Sequence, residues 1–229
     1  MKQILMVGAG SVGGFFGAQL AKANLPVSFL LRPKTLAAVK HNGLTIRSAQ
    51  GSFTVHPPAA TDPRELPKPD LIILSVKAYD LDEVLTQIEP VMTDRTIILT
   101  LQNGVDTEDR IIARFHRDCV VGGIAYIYSK IAEPGVIDHY KRGTMAIGEL
   151  MGYQSARLLA IADLFKQAGI PCQLTGDVRR SKWEKMCWNC VFNPLTVLID
   201  DKVARRWTIR RCCGSFIRSW VKSWRWRPR

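Results

Sequence analysis

The 229-residue chain has no stretch approaching the run of about 18–20 apolar residues that a bilayer-spanning helix requires, so a spanning helix is excluded. No internal repeat and no low-complexity segment precedes residue 204, and at 47% hydrophobic and 23% charged residues the composition is that of a folded chain, not a disordered one. Paired metal-ligand spacing is also missing. The six cysteines stand at 119, 172, 187, 190, 212 and 213, and Cys187-x-x-Cys190 falls in an apolar, helix-like run with no second pair of ligands. No metal site is therefore expected, and the thiols read as buried and reduced. Acids are absent from residues 205–229, which hold nine of the 32 Lys and Arg. The formal charge of +12 thus belongs to the tail: residues 1–204 carry 23 basic against 20 acidic side chains, or +3, which points to neither nucleic acid nor a membrane surface as a partner. The segment Met1–Val7 begins like a secretory signal, but the apolar run stops at Gly8-Ala9-Gly10 without a cleavage site, so a cytoplasmic protein is expected.

What is present is alternation. Short β-branched or Leu-rich runs at 3–7, 27–31, 70–76, 96–101 and 120–127 predict strands. Helical patterns at 12–23, about 34–41, 80–90 and 106–115 lie between them. This is the form of an α/β fold, a Rossmann-type doubly wound parallel sheet. The Pro-rich segment 51–69 reads as irregular connection plus a short strand. Val136–Tyr140 and Thr144–Gly148 flank Lys141-Arg142-Gly143 and predict a hairpin. An amphipathic helix over 154–168 stops at Gly169, and Pro171–Leu174 returns as a strand. From Lys182 to about Ile199 the pattern is one long helix, apolar on more than one face, which expects neighbours. The expected organisation is a nucleotide-binding domain over 1–175, the start of an all-helical C-terminal domain over 176–204, and an anomalous tail over 205–229.

Gly8-Ala9-Gly10-Ser11-Val12-Gly13 fits G-x-G-x-x-G, with a strand before it and a helix after it. In such a loop the first glycine permits the turn and the second lets backbone approach a pyrophosphate. The third allows helix and strand to pack closely, and free N–H groups at the helix start face the phosphates. The residue closing the second strand, 19 positions after Gly13, is Arg32. An acid there would accept from a ribose 2′-hydroxyl, whereas Arg suits a 2′-phosphate, so NADPH is the expected cofactor. Two more strands deliver polar residues to the same carboxyl edge, Lys77 after Leu71–Val76 and Gln102-Asn103-Gly104 after Ile97–Leu101. On the long helix, Lys185, Asn189 and Asn193 recur at i, i+4 and i+8 and share one face within about 80°. Pro194 removes a helix hydrogen bond and predicts a bend near residue 190.

Over about residues 1–204 the chain resembles the ketopantoate reductase (2-dehydropantoate 2-reductase) family. The shared strings are Val7-Gly8-Ala9-Gly10-Ser11-Val12-Gly13-Gly14, Leu31-Arg32, Ser75-Val76-Lys77-Ala78 and Leu101-Gln102-Asn103-Gly104-Val105. Most specific is the run from Trp183-Glu184-Lys185 through Asn189 to Asn193-Pro194-Leu195-Thr196. The resemblance implies NADPH-dependent reduction of 2-dehydropantoate to pantoate, in pantothenate and coenzyme A biosynthesis. It implies cofactor contacts from Gly8, Ala9, Gly10, Ser11, Val12, Gly13, Arg32, Lys77 and Asn103. Lys185 would be the proton donor, with Asn103, Asn189 and Asn193 on the substrate. The partners expected are a small 2-oxo acid and a second copy of the chain in a homodimer. A non-catalytic NADPH-binding remnant, or a reductase for another 2-oxo acid, is the alternative.

The family's helical domain runs on past residue 229 and adds a Ser, a Glu and in some members an Asn to the substrate site, none with a counterpart here. The tail holds four of the six Trp and has no clear helical or strand period. It reads as translated out of frame, since a shifted reading of compatible codons can yield an amphipathic helix. Truncation and weakened turnover are the expectations that follow.

Overall fold

A computed structural model of the chain describes residues 3–198; the tail expectations lie outside the described residues. The strands are β1 (Ile4–Val7), β2 (Val27–Leu30), β3 (Leu44–Ser48), β4 (Phe53–Val55), β5 (Ala59–Ala60), β6 (Leu71–Leu74), β7 (Ile97–Thr100), β8 (Val120–Glu133), β9 (Val136–Gly148) and β10 (Cys172–Leu174). The helices are α1 (Ser11–Lys22), α2 (Pro33–Asn42), α3 (Leu81–Ile88), α4 (Thr107–Arg114), α5 (Ala156–Gln167) and α6 (Val178–Leu198). By its internal contacts the chain divides after Glu184. Among the described residues no helix is long and apolar enough to cross a membrane.

One mixed sheet runs in the order β4-β3-β9-β8-β7-β6-β1-β2-β5, with β10 also on β9. The strands from β5 to β8 are mutually parallel. β9 turns back antiparallel to β8, and its far edge is shared by β3 and β10. Parallel strands covered on both sides should be apolar throughout, and β1, β2 and β6 are buried at every position. Alternation then sorts them. Ile4, Met6, Phe29, Ile73 and Leu99 join one core layer with Phe16, Leu20 and Phe165, while Leu5, Val7, Leu30, Ile72 and Ile98 meet Leu81, Leu85 and Ile111 on the other face. The Rossmann-type reading of the sequence is the fold observed.

Helix α1 is enclosed by the curl of the sheet, touching β1, β2, β3, β4, β8 and β9. A side chain at Gly13, Gly14 or Gly17 would collide: an added Cβ would lie 2.0 Å from Ser75 Oγ, 2.9 Å from Ile137 and 2.4 Å from Phe29 respectively. The helix can sit this deep only because those positions carry hydrogen.

Three sequence expectations are corrected. The hairpin expected at Lys141-Arg142-Gly143 is instead a bulge inside the continuous strand β9. The strand reverses at Pro134-Gly135, where Gly135 has φ +81°. Arg142 and Gly143 do take positive φ, 63° and 118°, but a long partner in β8 continues to pair beyond them, so the left-handed pair shifts register without turning the chain. Helix α6 begins at Val178, a turn before Lys182, and includes Pro194. Finally, not all thiols are buried. Cys119 is, and burial raises its pKa; burial also pushes half-buried Cys172 to about 11, yet Cys187 and Cys190 are exposed on α6.

Two polar clusters tie the layers together. Ser155 caps α5 by accepting from the Leu158 N–H (3.1 Å) and donates to Glu149 Oε1 (2.5 Å), which with Oε2 also receives a forked pair from Arg157 (2.7 and 2.6 Å). Lys182 donates to Glu108, both buried, joining α4 to the first turns of α6; Arg179 grips Asp109 beside them at 2.5 and 3.0 Å. Burial pushes the Lys182 ammonium below its ordinary range, and the Glu108 carboxylate pulls the other way.

Gly17→Ala should destabilise by about 1–3 kcal/mol, because overpacking against fully buried Phe29 outweighs the gain in helix propensity. A urea midpoint raised by the substitution would contradict it. For Glu149, burial alone would raise the carboxyl pKa, but the bonds from Arg157 and Ser155 hold it below its ordinary value. Its contribution is therefore complete above the ordinary glutamate pKa and lost as pH falls through the lowered folded value. Glu149→Gln should cost about 1–3 kcal/mol at neutral pH and flatten the stability-versus-pH curve in acid, as measured by denaturant midpoints across that range.

Candidate functional site

Strand β1 lies between β2 and β6, which the chain reaches on opposite sides of it, so the order reverses here, and it is beyond the carboxyl ends of strands at such a point that open α/β sheets take their ligands. Four adjacent strands, β7, β6, β1 and β2, deliver the residues singled out from the sequence to that edge. Gly8 to Gly13 follow β1, Arg32 follows β2, Lys77 follows β6, and Asn103 follows β7.

Each glycine of the loop has a separate physical duty. Gly8 has φ +90°, a conformation that a side chain strains. An added Cβ at Gly10 would meet nothing within 4 Å, so the loop fronts open space there. At Gly13 the added atom would lie 2.3 Å from the Gly8 carbonyl oxygen, which closes the turn onto the helix. Gly10 also begins α1 with no side-chain cap, and the first turn contains no acid. The first N–H groups of the helix, aligned with its dipole, are thus left to an anion. These features fit the pyrophosphate of a dinucleotide.

The loop is held from below by residues that sequence reasoning passed over. Ser75 Oγ donates toward the Val7 and Gly8 carbonyls at 2.9 and 3.1 Å, fixing the end of β1 to the end of β6. Buried Gln102 reaches from β7 to donate to the Val76 carbonyl at 3.0 Å, and Arg110 donates to that of Ala78 at 3.2 Å. Asp80 receives an ion pair from Arg32 at 2.7 Å. Ser75 and Gln102 lie beside Lys77 and Asn103 in the sequence. Their signal was a polar side chain closing an apolar strand, where a turn former would have served as well.

Arg32, Lys77 and Asn103 are exposed at the edge, as ligand-binding side chains require. Ser129 Oγ donates to the Ser11 carbonyl at 3.0 Å, bringing β8 against the start of α1. In the part of the chain after Glu184, Lys185, Asn189 and Asn193 recur along one stripe of α6, the first two half-buried and Asn193 exposed. The rings of Trp188 and Phe192 pack 4.5 Å apart on the same helix.

Comparison with known proteins agrees with this geometry. Residues 4–152 match the family model described as Ketopantoate reductase PanE/ApbA, and residues 177–218 match that of Ketopantoate reductase PanE/ApbA C terminal. The 2-dehydropantoate 2-reductase of Nostoc sp. is 30% identical over 207 residues, an alignment covering 88% of this chain and 65% of the relative. Among solved structures, 2-dehydropantoate 2-reductase from Geobacter metallireducens superposes with TM-score 0.81 at 35% identity, covering 86% of this chain and 65% of that one. A ternary structure of D-mandelate dehydrogenase with NADH and anilino(oxo)acetate superposes with TM-score 0.79 at 25% identity, covering 87% of this chain and 65% of that one. The chain spans just under two thirds of the length of such relatives. With a family model matched from the first strand to the loop after the last residue of β9, and the glycine turn, strand order and sheet-edge residues in place, the chain belongs to the ketopantoate reductase family.

Proposed function

We propose that this chain binds NADPH and reduces 2-dehydropantoate to pantoate. The observation that carries the reading is the convergence of the glycine turn, Arg32, Lys77 and Asn103 on one sheet edge at the point where strand order reverses. Family and fold imply a nicotinamide dinucleotide; the choice of NADPH rests on Arg32, whose guanidinium is suited to a 2′-phosphate. The backbone of Gly8, Ala9, Gly10, Ser11, Val12 and Gly13 would hold the pyrophosphate, with Lys77 adding a second positive charge. When bound, the reduced nicotinamide supplies a hydride to the ketone carbon of a 2-oxo acid. The Asn103 amide, both donor and acceptor, would bridge cofactor and substrate. The Lys185 ammonium would stabilise the charge developing on the ketone oxygen and donate the proton. Asn189 and Asn193 would fix the substrate's carboxylate and hydroxyl in the attack geometry.

The test is loss of nicotinamide absorbance when the purified chain meets NADPH and 2-dehydropantoate, beside two variants. Lys185→Ala should keep NADPH affinity and lose about 10²–10⁴-fold in turnover, the usual worth of a general acid. Gly13→Ala should lose NADPH binding itself. Wild-type binding without turnover on any 2-oxo acid would replace the reductase by a nucleotide-binding protein, and turnover unchanged in Lys185→Ala would remove that residue from the chemistry.

A further inference from the structure

Asp80 occupies the N-cap position of α3, where an aspartate ordinarily accepts from a backbone N–H of the first turn. Here it makes no such bond. Its carboxylate, with the side chain only 16% exposed, is turned to the Arg32 guanidinium at 2.7 Å, and Arg32 is 72% exposed. Among the described residues Asp80 is the only ion-pair partner of Arg32. The turn that presents Asp80 is not loose. Its backbone N–H donates to the Lys77 carbonyl at 3.0 Å, and Arg110 secures the same turn through the Ala78 carbonyl and an ion pair with Asp82 at 2.8 Å.

We infer that Asp80 is a specificity-determining residue, a built-in carboxylate that neutralises Arg32 and against which a 2′-phosphate must compete. This rests on the NADPH reading above. A guanidinium already paired with a fixed carboxylate offers an incoming dianion little net charge, and the phosphate then stands within a few ångströms of a like charge. A 2′-hydroxyl suffers neither penalty, and a carboxylate can accept a hydrogen bond from it. Asp80 therefore narrows the gap between NADPH and NADH that Arg32 opens. The carboxylate does so from the loop after β6, on the far side of β1 from the second strand, where the choice between the two cofactors is ordinarily read.

The test is calorimetric titration of the full chain with NADPH and with NADH. Asp80→Asn, and independently Asp80→Ser, which is also a sound N-cap, should tighten NADPH by about fivefold, near the ceiling for an exposed ion pair, and leave NADH within twofold or weaken it. Arg32→Gln should weaken NADPH alone, and adding Asp80→Asn to it should recover less than the single variant gains. Thermal midpoints without nucleotide show whether each variant is folded. An NADPH-to-NADH affinity ratio that stays level or falls in both Asp80 variants, while Arg32→Gln still costs NADPH specifically, would overturn the role of Asp80 and leave the NADPH reading standing. An Arg32→Gln that costs NADPH nothing would overturn both.

Discussion

Everything at the candidate site depends on how closely α1 can lie inside the curled sheet. A helix touched by six strands has little solvent face on which to place bulk, and its approach is limited by the largest atom at each contact. Gly13, Gly14 and Gly17 remove that atom in three directions, toward the end of β6, toward β9 and toward β2. Phe15, Phe16 and Leu20 then fill the volume between. The glycine turn is the start of this same helix, so its position is inherited from core packing and not from the loop. That is how a short glycine-rich segment can be stiff.

The rest of the edge is built by bonding loop to loop. Four strand ends lie side by side, and each would be free to splay were its backbone carbonyls unsatisfied. Ser75 joins the first to the third in sequence, and Gln102 joins that one to the last. Neither side chain needs to touch a ligand to matter. They determine which way the exposed Lys77 and Asn103 can be presented, because the peptides that carry those residues are already held.

The doubly wound centre was legible in the sequence because its signals were local and strong. Runs such as Leu71-Ile72-Ile73-Leu74 are apolar at every position, short and preceded by Pro69-Asp70, which suits a strand covered on both faces. The glycine spacing also came with a strand before it and a helix after it. The long β8 and β9 pair was not legible, because a positive-φ pair such as Arg142-Gly143 serves equally as a turn or a bulge, and only the length of the partner decides. Strand β3 was missed for a related reason: Leu44–Ser48 mixes polar Thr45, Arg47 and Ser48 with only two buried residues, and pairing with β9 decides what local pattern does not. At the sheet edge, the positions of Gly8, Arg32, Lys77 and Asn103 could be read singly from the strands they follow, but the Asp80 partnership could not. Nothing in a linear sequence says that an N-cap aspartate will leave its own helix for an arginine 48 positions earlier.

The buried pair between Glu108 and Lys182 makes the burial of one helix conditional on another. The two residues are 74 positions apart, so the charge that neutralises the carboxylate comes from far along the chain. With Lys182 removed, Glu108 would keep the cost of an unpaired buried charge, hard against the strand at Gly122. The ammonium at the root of α6 removes that cost. The root of that helix is thus a latch: it lets α4 be sealed against the sheet.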